Sequence, residues 1–115
     1  MPQVEIFADI FGSDGVPHTF IKLYDNDGNA TEYGLGPVHE GRPIDNGKIY
    51  INERHEFDTS SGKLDITNEQ YLSLQNKINE SILNPPDYNL FTGKTCTSWA
   101  LEMLNASGII PSILV

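Results

Sequence analysis

Apolar and polar residues alternate along the first half of the chain, and this period of two predicts β-strands. Strands are predicted over Val4–Ile10, His18–Tyr24, Ala30–Leu35 and Lys48–Ile51. The Gly/Pro-rich stretch Gly34–Gly41 is expected to lead out of the third strand. The fourth strand is open to extension as far as Phe57, and Asp58–Lys63 is expected to be a polar turn.

The second and third strands are predicted to form a hairpin, because Asp27-Gly28 readily takes the positive φ of a tight turn. A two-residue turn at this point sets His18 roughly opposite Pro37 and diagonal to His39. A shift of one residue in the register would bring Glu40 or Val38 there instead. Along the second strand, alternation separates two sets of side chains: His18, Phe20, Lys22 and Tyr24 on one face, and Thr19, Ile21 and Leu23 on the other.

The second half of the chain changes to a helical period. Thr67 and Gln70 have the spacing of a capping box, which predicts a helix that begins at Thr67 and ends before Pro85-Pro86. Its apolar residues recur at helical spacing and are expected to form a buried stripe. The members of this stripe are Tyr71, Leu74, Ile78 and Ile82.

A second helix is predicted after the short extended stretch Tyr88–Leu90. Thr95 is a suitable N-cap and Gly108 a suitable residue just past the C-terminus. Five residues share one face of this helix: Cys96, Trp99, Ala100, Met103 and Leu104. The predicted fold class is therefore α+β, a single domain over residues 1–115 in which a small antiparallel sheet packs on the helix that carries Cys96.

Composition narrows the function classes. A net charge of −9 disfavours a nucleic-acid or anionic-lipid surface, because both need clustered Lys and Arg. The one cysteine cannot form an internal disulfide or a multi-cysteine zinc site. No apolar run approaches the ~20 residues that span a bilayer, and the chain does not begin like a signal peptide.

Cys96 is the residue whose type and position most clearly indicate a catalytic role. At the first turn of a helix, unpaired N–H groups and the helix dipole favour the thiolate, which is the nucleophilic form. The alternative is a small buried apolar residue. A thiol nucleophile needs an imidazole within hydrogen-bond reach and a third group that orients it. His18 and His39 are candidates for these roles, whereas His55 lies in a charged run and is expected to be solvated.

Metal and nucleotide sites are disfavoured by spacing. The three histidines form no His-x-x-x-His pair, and there is no Cys-x-x-Cys pair. Asp25–Asn29 faintly resembles a calcium loop, but it lacks the glutamate at the twelfth position, and a hairpin turn explains it better. Neither a phosphate-binding Gly-Lys loop nor a Gly-x-Ser-x-Gly elbow is present.

The order of these features resembles the circularly permuted papain-fold hydrolases. The first half of the chain shares a histidine on the first strand of a hairpin, in His18-Thr19-Phe20-Ile21, and an exit from that hairpin at Tyr33-Gly34. A capped helix over Ile66–Ile82 and the stretch Tyr88-Asn89-Leu90 follow. The last shared feature is a helix that begins at Cys96, contains Trp99-Ala100 and Leu104, and ends at Ala106-Ser107-Gly108-Ile109. The likeness is greatest to permuted NlpC-like domains of secreted bacterial toxins and effectors.

This resemblance implies a cysteine peptidase or amidase with Cys96 as nucleophile, His18 as base and His39 as the orienting residue. Glu40 and Glu32 are alternatives for the orienting role. Many relatives have asparagine directly before the cysteine, where this chain has Thr95, so the chain departs from the family pattern beside the oxyanion site. No metal or organic cofactor is expected.

The resemblance also implies a substrate, a partner and a location. The substrate would be a peptide amide bond of peptidoglycan, and the partner an immunity protein that covers the cleft. The protein would be delivered by a secretion system without a cleavable signal peptide; a cytoplasmic location is the alternative. The alternative functions are a desumoylating-type isopeptidase of the same permuted fold, a lipid acyltransferase, and a non-catalytic binding module that kept the fold.

Overall fold

The computed structural model describes residues 1–9, 18–39, 41–53, 59–91 and 94–109. Within these residues the chain is α+β, with an antiparallel sheet and two helices, as the sequence pattern predicts. The strands are β1 Gln3–Asp9, β2 His18–Tyr24, β3 Ala30–Pro37, β4 Ile44–Asp45, β5 Gly47–Ile51, β6 Thr59–Ser60, β7 Leu64–Asp65 and β8 Tyr88–Asn89. The helices are α1 Asn68–Leu83 and α2 Cys96–Ala106.

The main sheet has six strands in the order β5-β3-β2-β1-β6, and β7 also pairs with β1. Strands β4 and β8 form a separate two-stranded ribbon. The predicted strands are confirmed over their described residues, whereas the two-residue strands β4, β6 and β7 were not expected. Strand β6 lies in the predicted polar turn, where the Ser60 hydroxyl donates to Glu5 Oε2 at 2.7 Å and Ile6 N donates to Ser61 Oγ at 3.0 Å.

The β2–β3 hairpin has a larger turn than predicted, and its register differs by one residue. Tyr24 pairs with Ala30, so the turn covers Asp25–Asn29, with Asp25 N donating to Asn29 O at 2.9 Å. The Asp25 carboxylate also accepts from the backbone N–H groups of Asp27 and Asn29. Continued to the start of β2, this register puts Gly36 opposite His18, one residue from the predicted Pro37.

Strand β3 continues through the stretch that was expected to leave the sheet. It reaches Pro37, which pairs with Gly47 of β5. A Cβ at Gly36 would lie 2.9 Å from Cε2 of Tyr50, and the Tyr50 hydroxyl donates to Pro37 O at 2.6 Å. Gly36 therefore lies within a strand, where the absence of a side chain makes room for the Tyr50 ring. Strand β5 ends at Ile51. Residues 52 and 53, the described part of the extension predicted toward Phe57, are therefore not in a strand.

Both helix starts are confirmed, and each is closed by a reciprocal capping box. At α1, Gln70 N donates to Thr67 Oγ1 at 3.0 Å and Thr67 N donates to Gln70 Oε1 at 2.9 Å. At α2, Ser98 N donates to Thr95 Oγ1 at 3.3 Å and Thr95 N donates to Ser98 Oγ at 2.8 Å. Gly108, just past α2, has a φ of 75°.

The core lies between one face of the sheet and the two helices. All five predicted residues of the α2 face are buried, whereas in the α1 stripe Leu74 and Ile78 are buried and Tyr71 and Ile82 pack against the core at partial exposure. Trp99 is fully buried, and its Nε1–H donates to Ser81 Oγ of α1 at 3.1 Å. This bond satisfies a donor that would otherwise be buried without a partner. None of the described helices is long and apolar enough to cross a membrane.

The face opposite the helices has its own aromatic pair. Phe7 of β1 and Phe20 of β2 stack with ring centroids 5.0 Å apart. Ile21 and Leu23 belong to the core on the helix face. Because side chains alternate along a strand, Phe20 and its neighbours two residues away lie on the outer face.

Gly47 fixes the contact between β5 and the segment after α1. A Cβ there would overlap the carbonyl oxygen of Pro86. We expect Gly47→Ala to lower the free energy of unfolding by about 2–3 kcal/mol, because the Pro86 backbone must move to admit the methyl group. Gly34→Ala is the matched control, since its Cβ would be in ordinary contact, 3.4 Å from Phe20 Cβ. Urea unfolding followed by the fluorescence of Trp99 measures both variants, and equal midpoints would contradict a fixed contact.

Candidate active site

The start of α2 lies beside the start of β2. The hydroxyl oxygens of Thr19 and Thr97 are 2.8 Å apart, so one donates to the other. Thr19 is the second residue of β2 and Thr97 the second residue of α2. The backbones of His18 and Cys96 are therefore neighbours at one end of the sheet.

Cys96 is not part of a disulfide; it lies at the first position of α2, and 5% of its surface is exposed. The capping box of Thr95 and Ser98 fixes the backbone around it. The N–H groups of the first helical turn converge at this end and can stabilise negative charge. A reaction at this sulfur requires a substrate that reaches a largely buried thiol.

His18 is partly exposed as the first residue of β2. Side chains of consecutive strand residues point to opposite faces, so His18 is on the face opposite Thr19, whose hydroxyl bonds to α2. It is on the same face as Phe20, whose ring stacks on Phe7. Alternation thus directs the His18 side chain toward the outer face of the sheet. The Thr19–Thr97 bond brings the start of the strand that carries His18 to the start of the helix that carries Cys96.

His39 forms a defined pair with an aspartate that the sequence analysis did not single out. Its Nδ1 lies 3.0 Å from Asp45 Oδ2, and its backbone N–H donates to the same oxygen at 2.7 Å. Asn46 N donates to Asp45 Oδ1 at 2.8 Å. The side chain of Asp45 is 8% exposed, and that of His39 is 71% exposed. The available signal was Asp45-Asn46-Gly47, a turn sequence that returns the chain toward His39.

These contacts act on the ionisation of Asp45. The pKa of Asp45 lies below its usual value, chiefly because the backbone N–H of His39 donates to the carboxylate. The His39 side chain and the Asn46 N–H act in the same direction, and desolvation opposes them.

The ribbon of β4 and β8 connects this pair to the segment before Cys96. Asp45 pairs with Tyr88, and Tyr88 forms a parallel bridge with Lys94. Asn89 N donates to Lys94 O at 3.1 Å. Two strand spacings of about 4.8 Å each therefore separate the backbone of Asp45 from that of Lys94, which precedes Cys96 by two residues.

The remaining candidates for the orienting role lie elsewhere or outside the described residues. Glu32 is opposite Lys22 in the hairpin, and its carboxylate is 3.8 Å from Lys22 Nζ. Glu40 and His55 lie outside the described residues.

Two further features bear on ligands. Among the residues that the structure describes, no three of His, Cys, Asp and Glu are grouped so that they could hold a metal ion. A cavity of about 480 Å³ lies between α1 and α2, with Trp99 and Met103 in its wall. The Lys94–Glu102 ion pair, at 2.7 Å, also lines it.

Comparisons with known proteins add no relative: no family model, curated protein sequence or solved structure matches the chain at a significant level.

The Thr19–Thr97 bond predicts a measurable coupling between β2 and α2. We expect Thr19→Val and Thr97→Val each to lower the free energy of unfolding by about 1 kcal/mol, because each leaves the other hydroxyl without this partner. The double variant should lose less than the sum of the two, with a coupling of about 0.5–1.5 kcal/mol. Thr31→Val, on β3, serves as the control for the substitution itself. Additive losses in urea unfolding would exclude a bond of this strength.

The lowered pKa of Asp45 predicts how its contribution depends on pH. A carboxyl group with a depressed folded-state pKa stabilises the protein above its unfolded value, here 3.8, and this stabilisation is lost as pH falls through the folded-state pKa. The free energy of unfolding of wild type should therefore exceed that of Asp45→Asn by a constant amount above about pH 5. The difference should close below pH 3.8. Urea unfolding of both proteins between pH 7 and pH 2.5 tests this, and a difference independent of pH would contradict it.

Proposed function

We propose that this chain is a cysteine hydrolase of the circularly permuted papain-like class, which cleaves amide bonds in the peptides of bacterial cell walls. The observation that carries the proposal is the Thr19–Thr97 hydrogen bond. It joins the residue after His18 to the residue after Cys96, which supports a site formed by the histidine strand and the cysteine helix.

The proposed reaction follows thiol hydrolase chemistry. An imidazole takes the thiol proton, and Cys96 Sγ forms a bond to the carbonyl carbon. Backbone N–H groups at the start of α2 stabilise the oxyanion. The imidazolium then protonates the nitrogen as the C–N bond breaks, and the amine leaves. Water, deprotonated by the same imidazole, hydrolyses the thioester and restores the thiol.

The resemblance assigns the proton transfers to His18 and the orienting role to His39. It also supports delivery by a bacterial secretion system and an immunity protein as partner, with a cytoplasmic isopeptidase as the alternative within the same fold. None of these steps uses a metal or an organic cofactor.

A second function, of a different class, is favoured by two observations. Cys96 is only 5% exposed, and alternation along β2 directs His18 away from α2. Both fit a binding module in which Cys96 fills the core beside Trp99. In that case its thiol would react as slowly as any covered cysteine.

The two functions predict different behaviour of the same proteins. Wild type, Cys96→Ala and Cys96→Ser are incubated with purified peptidoglycan, and the released fragments are analysed by mass spectrometry. For the hydrolase we expect new amino termini from wild type alone, because both variants lack the nucleophile. The masses of the fragments identify the bond.

Alkylation of Cys96 by iodoacetamide separates the remaining cases, with a small peptide thiol as the reference. Fast alkylation that persists below pH 7 without peptidoglycan release would keep the hydrolase and move its substrate to a protein isopeptide bond or a lipid. Slow alkylation with the pH dependence of the reference thiol would reject the hydrolase in favour of the binding module.

A further inference from the structure

The cavity between α1 and α2 is lined by one stripe of side chains from each helix. Residues three and four positions apart lie on one face of a helix, and both stripes have this spacing. The α1 stripe and its C-cap contribute Lys77, Glu80, Ser81 and Asn84. The α2 stripe contributes Trp99, Glu102, Met103 and Ala106. The cavity volume of about 480 Å³ is within the range of sites for small molecules, roughly 300–1,000 Å³.

The two helices are bonded to each other in the wall of this cavity. The Ser81 hydroxyl accepts from Trp99 Nε1–H at 3.1 Å and donates to Met103 Sδ at 3.7 Å. Trp99 is fully buried and Met103 is 7% exposed, so this wall is continuous with the core. The cavity is therefore preformed, with an apolar wall on α2.

The rest of the wall carries both signs of charge. Lys94 Nζ and Glu102 Oε2 are 2.7 Å apart and neutralise each other. The side chains of Lys77 and Glu80, in contrast, form no ion pair within the part of the chain that the structure describes. They are three positions apart on α1, where Cβ atoms are about 5–6 Å from each other. The cavity thus presents one unpaired ammonium group beside one unpaired carboxylate.

A dipeptide with free termini is complementary to this pair of charges. In an extended dipeptide the terminal nitrogen and the terminal carboxyl carbon are about 6 Å apart, close to the spacing of Lys77 and Glu80. The terminal carboxylate faces Lys77 and the terminal ammonium faces Glu80. A simple anion or cation pairs with only one of the two side chains, so it gains less.

We infer that the cavity between α1 and α2 binds a short zwitterionic peptide, with Lys77 at its carboxylate and Glu80 at its ammonium group. An apolar side chain of the peptide packs on Met103. The inference goes beyond the proposed hydrolase function and does not depend on it, because the residues that carry it lie outside the candidate active site.

The probe is the dipeptide alanyl-leucine, titrated into the protein at pH 7. Trp99 is the only tryptophan and lies in the cavity wall, so its fluorescence should change to saturation. We expect a Kd on the order of 1 mM for so small a ligand. In ¹⁵N-labelled protein the amide shifts should concentrate in residues 77–84 and 99–106. The N-acetylated and the C-amidated dipeptide should each bind about fivefold more weakly, since each lacks one charge.

Variants of the two charged residues assign each terminus. We expect Lys77→Gln and Glu80→Gln each to weaken binding of alanyl-leucine by about fivefold. Lys77→Gln should bind the amidated dipeptide as wild type does, because that contact is already absent. Glu80→Gln should likewise bind the acetylated dipeptide as wild type does. Glu69→Gln, in the first turn of α1, is the matched control and should leave every affinity unchanged. Circular dichroism confirms that each variant is folded.

Three results would overturn the inference. One is the absence of a saturable change with alanyl-leucine, or amide shifts confined to other parts of the chain. Another is equal binding of the acetylated, amidated and unmodified dipeptides, which would exclude recognition of a zwitterion. The third is wild-type affinity in both Lys77→Gln and Glu80→Gln, which would exclude the assigned contacts. The hydrolase proposal stands or falls separately, on peptidoglycan release and Cys96 alkylation.

Discussion

The start of α2 is held against the sheet by polar contacts within an interface that is otherwise apolar. Thr95 and Ser98 close the helix end, and the Thr19–Thr97 bond joins it to β2. Trp99, one turn further on, is fully buried and bonded to Ser81 of α1. Because apolar packing has no direction, these bonds fix how far along the sheet the helix sits. The position of Cys96 depends on them.

The sequence predicted what is decided by neighbouring residues. Both helix starts follow from a threonine at the N-cap, with Gln70 three residues later at α1, and the long strands follow from alternation. The features that the sequence did not predict depend on partners distant in the chain or on side-chain hydrogen bonds within a turn. Strand β6 exists because Ser60 and Ser61 bond to β1, and the hairpin register is set by the Asp25 carboxylate. An Asp-Gly pair indicates a turn, but the preceding aspartate decides its size.

The candidate site also has features that neighbouring residues predict and features that they do not. The place of Cys96 at the first turn of α2 could be predicted, because a cap and an apolar stripe define it. The face of His18 was also available, since it shares a period of two with Phe20 and is out of step with Ile21. The partner of His39 had a weaker signal, the turn sequence Asp45-Asn46-Gly47. The contact of Asp45 with the His39 ring could not be predicted, because β4 is a two-residue strand with no period to detect.

Three large apolar side chains on the segments around His39, Asp45 and β8 are exposed. The ribbon that carries Asp45 exposes Ile44 at 57%, and Phe91, which follows β8, is 72% exposed. Val38, next to His39, is 46% exposed. Large apolar side chains grouped beside polar ones are typical of surfaces that bind a partner or substrate. A surface of this kind is compatible with both proposed functions. What separates the two functions is therefore whether the thiol and an oriented imidazole act together.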